Sequence, residues 1–392
     1  MARLYCAPDD MLRLRSGLKW SRVGRGELPA DIAELDFAVA SPIRSALLRA
    51  VRLSDFGYPD FAEGSPVTLK KVFSARTRRL YGWTPRTELT ELSAQVTQAL
   101  CCVVLAFTRP GDRVLVHTPA YPPFLAAIRD LGRRPVTLPV ADVENVDELI
   151  GGFSPKSGRI RLVVLCQPHN PTGHIFNAAT LAAFAELTIA HDALVFSDEI
   201  YQDLAFSPHR HRPAALTPGL EERTITFTSA AKSFNIPGLR CAIGHFGSPR
   251  LHDGYVRLPW HLRDGAGIAG IAATLAAWEH AGPWLEELRR VVRRNRDLIA
   301  ARLPGLHGAK WTAPAAGFLA WIDFRDTLAT EDPRNILRRR AGVVLQPGEV
   351  YGPEFSSFAR LNFGTSRERL ERLLDRIETA LAGNAQPDVS VT

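Results

Sequence analysis

Between Gln95 and Phe227, strand-length apolar runs alternate with helix-length runs, and this alternation constrains the fold more than any other feature of the 392-residue chain. The pattern predicts a helix over 97–108, a strand over 113–117, a helix over 122–131 and a strand over 135–138. It continues with a strand over 160–167, a helix over 178–191, and strands over 193–197 and 224–227. Such a series specifies an α/β fold, a largely parallel sheet with helices on both faces. Ligand-handling residues in these sheets collect beyond the carboxyl ends of the strands. Tyr121, Asn170, Asp198 and the pair Ser229 and Lys232 each follow or end a predicted strand.

The flanking text differs. Gly17-Leu-Lys-Trp20 and Ile32-Ala-Glu-Leu-Asp-Phe37 suggest a strand or extended arm, and Pro42 leads into a helix over 43–53. Phe56-Gly-Tyr-Pro59 reads as a turn whose aromatic is either a packing plug or a contact to another subunit. After Gly270 the chain is helical, with a long exposed helix over 284–302 joining two domains. A strand over 318–324, a helix over 333–340, a strand over 358–363 and a helix over 366–381 capped by Ser366 make a smaller α+β domain. The expected division is an arm and part of the small domain over 1–55, a large domain over 56–280, and the remaining small domain over 281–392. Residues 383–392 are expected to be disordered.

Six of the 48 basic residues are lysine, so a lysine kept at position 232 is informative. Lys232 lies between small residues, after a β-branched run and before Pro237-Gly238. Arginine is always charged and cannot form an imine, whereas a desolvated lysine can lose its proton and condense with an aldehyde. The residues around it supply the parts that a pyridoxal phosphate imine requires. Asp198, at the end of an apolar strand, can pair with a protonated pyridine nitrogen. Tyr201 and Asn170 can donate to the ring hydroxyl, and Tyr121 can stack on the ring. Ser229, Arg240 and the backbone N–H groups of Val96, Thr97 and Gln98 at a helix start can receive the phosphate. The loop Gln167-Pro-His-Asn-Pro171 is fixed by its prolines, and the bond before Pro171 is a candidate cis peptide. Arg360 lies on a small-domain strand, facing away from the side of Leu361.

The set Tyr121, Asn170-Pro-Thr-Gly173, Asp198-Glu-Ile-Tyr201, Ser229-Ala-Ala-Lys232, Arg240 and Arg360 resembles the fold type I pyridoxal-phosphate enzymes of the aspartate aminotransferase superfamily. Within it, Gly17-Leu-Lys-Trp20, Ala33-Glu-Leu-Asp-Phe37, Phe56-Gly-Tyr58, Cys166-Gln-Pro-His-Asn-Pro171 and Lys232-Ser-Phe-Asn-Ile-Pro-Gly-Leu239 resemble the cystathionine β-lyase type of carbon–sulfur lyases. The resemblance implies that Arg360 takes the substrate α-carboxylate. It also implies a homodimer with shared active sites, in which Tyr58 reaches the neighbour's phosphate. Two positions depart from the pattern: Gln95 stands where the family usually has glycine, and Arg240 is commoner in the aminotransferases than in these lyases. The implied reaction is β-elimination from S-substituted L-cysteines, cystathionine-like, giving thiol, pyruvate and ammonia. An aminotransferase shares the steps up to removal of the α-proton and stands as the alternative.

Composition narrows the rest. A net charge of +7 is spread along the chain, with Arg338 to Arg340 the only local cluster, which argues against a nucleic-acid surface. No apolar run has the roughly 18 residues of a spanning helix, and no signal peptide is evident. The five cysteines are odd in number and lack metal-ligand spacing, so they read as reduced packing residues in a cytoplasmic protein.

Overall fold

The computed structural model describes residues 4–139, 152–328 and 332–382. They fall into two compact units, one built from Val39–Asn170 with His174–Leu285, the other from Met1–Ala38, Pro171–Gly173 and Glu286–Thr392. The expected tail over 383–392 lies outside the described residues.

The larger unit is built on a seven-stranded sheet. Its strands are β1 (Thr90–Ser93), β2 (Arg113–Thr118), β3 (Arg134–Pro139), β4 (Ile160–Cys166), β5 (Leu194–Asp198), β6 (Thr224–Thr228) and β7 (Ala242–Phe246), in the spatial order β1-β7-β6-β5-β4-β2-β3. From β6 to β3 all neighbours are parallel, while β7 runs antiparallel to both β6 and β1. The helices of more than one turn in this unit are α1 (Ser41–Leu53), α2 (Ser65–Tyr81), α3 (Val96–Phe107), α4 (Pro122–Asp130), α5 (Ala178–His191), α6 (Pro249–Val256) and α7 (Ile268–His280).

The central strands are continuous apolar runs because both of their faces are buried. Val114, Val116, Leu162, Val164 and Phe196 pack with α3, α4 and α6. Their alternates Leu115, Val163, Leu165 and Val195 pack on the other face with α5. Each fully buried Phe, such as Phe196 stacked on Phe227 at 5.9 Å, contributes about 1.5–3 kcal/mol. Gly244 on β7 pairs with Phe227, and a Cβ there would stand 2.5 Å from that ring. That close approach, with no side chain to add to an apolar run, is why the sequence reading passed over β7. It also passed over β1, which is only four residues long, and α2, whose apolar stripe is interrupted by Lys and Arg.

In the smaller unit a four-stranded antiparallel sheet is formed by β8 (Lys310–Trp311), β9 (Leu319–Asp323), β10 (Gln346–Pro347) and β11 (Phe358–Asn362), in the order β10-β11-β9-β8. Leu28–Pro29 pairs in parallel with Val343–Val344. Helix α8 (Gly282–Arg302) carries the chain into this unit, followed by α9 (Pro333–Ala341) and α10 (Arg367–Ala382). Ser366 Oγ accepts from the Arg369 N–H at 3.3 Å, the expected cap.

Four expectations are corrected. The helix over 284–302 is amphipathic rather than exposed, because Trp284, Leu285, Leu288, Val292, Asn295 and Ile299 recur at helical spacing and are buried. Leu18–Ser21 is a helical turn rather than an extended arm, and the segment 32–37 has bends and, at Phe37, a single bridge to Cys6 in place of a strand. These two stretches meet through charge: buried Lys19 lies 3.0 Å from Asp36, which also accepts from Trp20 Nε1 at 2.7 Å. The cis peptides among the described residues precede Pro119, Pro168 and Pro208, not Pro171. The trans preference before proline is only about 0.5–1 kcal/mol, so packing rather than sequence chooses between two prolines of one loop. Tyr58 is fully exposed, so it plugs nothing within its own chain.

Candidate active site

The sheet topology brings together seven of the expected stretches. The carboxyl ends of β2, β4, β5 and β6 share one edge, with Cys166 paired to Asp198 and Asp198 to Phe227. Because β1 runs antiparallel to β7, its end also reaches this edge, and so does the start of β7. Tyr121, Asn170, Asp198, Ser229, Lys232, the helix start at Val96 and Arg240 therefore stand along one side of the sheet.

Asp198 is 5 % exposed and accepts one hydrogen bond, from the Ile200 N–H at 3.0 Å. Burial pushes its carboxyl up to about 7, against the Ile200 hydrogen bond and the positive charge of half-buried Lys232; the adjoining Glu199 carboxylate adds to the rise. A carboxylate in that position is set to take a cationic partner. Glu199 is fully buried and satisfied: its Oε1 accepts from Ser197 Oγ and the Ala214 N–H, both at 2.9 Å, and its Oε2 meets His211 Nε2 at 2.8 Å. Gln202 Nε2 donates to Thr228 Oγ1 at 2.9 Å, and that hydroxyl donates to the Glu199 carbonyl at 3.1 Å, tying the end of β5 to the end of β6. The sequence reading missed this support. Glu199 was detectable as a charge in an apolar strand end, but nothing in the spacing to His211 or Thr228 signals the contacts.

Asn170 and Tyr201 are buried at the same edge, and half-buried Tyr121 stands immediately before α4, its ring edge-on to Phe124 at 5.3 Å. Behind Asn170, His117 Nε2 accepts from the Cys166 N–H at 2.8 Å, and burial pushes that imidazole down to about 3, keeping it a neutral acceptor.

No side chain caps the N-terminus of α3, whose first intrahelical bond is Ala99 N–H to the Gln95 carbonyl. The N–H groups of Val96, Thr97 and Gln98 therefore lie at the positive end of a twelve-residue helix. The Gln98 side chain is committed elsewhere, accepting from Ser93 Oγ and the Ala94 N–H and donating to the carbonyls of Leu262 and Asp264. Ser229 Oγ donates to the Cys241 carbonyl at 2.5 Å and accepts from the Ala231 N–H at 3.1 Å. Arg240 is exposed, and its Nη1 donates to Gln95 Oε1.

Tyr58 stands apart from this edge. With Phe56, Pro59, Phe61, Trp260 and Ile268 it lines an open apolar groove of about 600 Å³, and neither Lys232 nor Asp198 takes part. The groove wall includes Asp264, whose carbonyl accepts from the Gln98 side chain. In the smaller unit, Arg360 on β11 is 4 % exposed; its Nη2 donates to the Asp31 carbonyl at 2.5 Å, and its guanidinium lies 5.6 Å above the Tyr351 ring.

These residues fit pyridoxal phosphate: a buried acid set for a cation, a lysine within its field, buried hydroxyl and amide groups, an uncapped helix start and an arginine. The seven-stranded sheet, the second smaller unit and this set of residues define a fold type I pyridoxal-phosphate enzyme. The family model for aminotransferase class I and II matches residues 57–377, and the chain belongs to that family. It is 32% identical to the cystathionine β-lyase of Corynebacterium glutamicum, over 95% of this chain and 98% of the relative. It is 31% identical to the cystathionine β-lyase PatB of Bacillus subtilis, over 93% and 96%. A solved Corynebacterium diphtheriae structure assigned as a pyridoxal-phosphate-dependent β-cystathionase superposes with a TM-score of 0.90 at 30% identity, covering 97% of this chain and 99% of that one. No described helix is long and apolar enough to cross a membrane.

Proposed function

We propose that this chain is a pyridoxal-phosphate-dependent carbon–sulfur β-lyase acting on S-substituted L-cysteines of the cystathionine kind. The observation that carries this reading is the Asp198 carboxyl, buried and set for a cation beside Lys232, in a chain whose near full-length relatives include two cystathionine β-lyases at 31–32% identity. When bound, the cofactor supplies an aldehyde and an electron sink.

The protein supplies the rest. Lys232 Nζ would hold the aldehyde in the absence of substrate and, once freed, would take the proton from the substrate Cα. Asp198 would pair with the pyridine nitrogen and keep it protonated. Tyr201 and Asn170 would donate to the ring hydroxyl, and Tyr121 would cover the ring face. The N–H groups of Val96, Thr97 and Gln98, with Arg240, would receive the phosphate; Ser229 would join them once its proton turns from the Cys241 carbonyl. Arg360 would take the α-carboxylate as a fixed positive charge. The Cβ–S bond would break with its electron pair leaving on the thiolate, and the released enamine, after tautomerising to its imine, would take up water to give pyruvate and ammonia.

The exposed aromatic groove around Tyr58 supports a homodimer in which Tyr58 completes the partner's phosphate site. The five free cysteines fit a reducing cytoplasm.

The deciding experiment supplies cystathionine without a keto acid. A lyase returns to its starting state each cycle, so many equivalents of pyruvate and thiol per site are expected. One equivalent of keto product followed by arrest, relieved only by an added keto acid, decides for an aminotransferase. Borohydride reduction and peptide mapping should place the label on Lys232; a label on Lys156 or Lys310 overturns the arrangement.

A further inference from the structure

Gln95 stands where the resemblance leads one to expect glycine, and its side chain does something a glycine could not. Its Oε1 accepts from Arg240 Nη1, joining the residue before α3 to an arginine 145 positions later. Gln95 is itself extended, with φ −160°, and its side chain does not cap the helix it precedes.

The backbone of Arg240 is held on both sides. It adopts φ +51°, a conformation that a residue with a Cβ takes only where its surroundings impose it. On one side, the Leu239 carbonyl packs so closely on α7 that a Cβ at Gly270 would stand 2.2 Å from it. On the other, the Cys241 carbonyl receives Ser229 Oγ at 2.5 Å. The backbone does not fix the side chain, which is long and solvent-exposed. A guanidinium has five N–H donors, so one given to Gln95 leaves the rest of the fork for an anion.

We infer that Gln95 is a positioning residue for phosphate: its side-chain carbonyl holds the Arg240 guanidinium by the N-terminus of α3, so the cofactor's phosphate meets a charge already in place. This rests on the cofactor reading above. The gain is in preorganisation, because an arginine already immobilised loses less rotamer freedom when it binds.

The test compares cofactor-free wild type with Gln95→Ala and with Gln95→Met, which keeps the length but has no carbonyl. Dissociation constants are measured for pyridoxal phosphate and for pyridoxal, which lacks the phosphate, alone and in an Arg240→Ala background. Pyridoxal phosphate binding should weaken about three- to tenfold, the scale of immobilising one long side chain. Pyridoxal binding should not change, and the Gln95 effect should vanish once Arg240 is gone. Equal or tighter pyridoxal phosphate binding by both Gln95 variants overturns the inference, since Gln95 would then be competing with the phosphate. An unchanged Gln95 effect in the Arg240→Ala background also overturns it. Wild type binding neither compound sinks the cofactor reading itself.

Discussion

A carboxyl held near 7 by burial gives Asp198 a stability signature of its own. Its folded value lies above the ordinary 3.8, so its contribution is fully present below about pH 4 and is lost as pH rises to about 7. In cofactor-free protein, wild type should therefore lose stability relative to Asp198→Asn across that window, by up to about 4 kcal/mol. Urea denaturation of both proteins from pH 4 to 8 measures this, and parallel curves would mean that another group neutralises the charge. The same amide variant should retain the fold but lose most turnover, because an amide cannot hold the ring nitrogen protonated.

Among the elements, the turn over 237–241 depends on its contact with α7. Gly270 is needed there for space alone: an added Cβ would meet the Leu239 carbonyl at 2.2 Å and the Arg240 carbonyl at 3.2 Å. Gly270→Ala should destabilise the protein by about 1–3 kcal/mol, the usual cost of overpacking, even though alanine is the better helix former. Thermal or urea denaturation checks the sign. A variant as stable as wild type would mean that the turn yields freely, and Arg240 would then not be fixed by its backbone. The Gln98 contacts to the Leu262 and Asp264 carbonyls likewise tie the start of α3 to a separate segment, one that contributes Asp264 to the aromatic groove.

For the whole molecule, the proposal with the widest reach is the shared site. Phe56, Tyr58 and Trp260 are all exposed around the groove, a cluster of large apolar side chains that a protein in water normally covers. If Tyr58 serves the partner's phosphate, a Lys232→Ala chain and a Tyr58→Phe chain have complementary defects. Mixing the two inactive proteins under conditions of subunit exchange should restore part of the activity. Proven exchange without recovery would confine each site to its own chain.

The sequence by itself determined the parallel core and the order of the chemistry along it. Strands buried on both faces must be continuous apolar runs, and a sheet of such strands leaves its polar residues at the ends, so Asn170, Asp198 and Lys232 were legible from position alone. Only the tertiary structure decided which distant residues serve them. Glu199 with His211, Gln202 with Thr228, Gln98 with Asp264 and Gln95 with Arg240 are contacts across 12 to 166 positions. Periodicity encodes which face a residue occupies, whereas these contacts depend on where separate strands end relative to one another. Strand β7 and the cis bond before Pro168 were hidden for a related reason: each answers to packing against a neighbour, Phe227 in one case and the folded loop in the other, that no local pattern records.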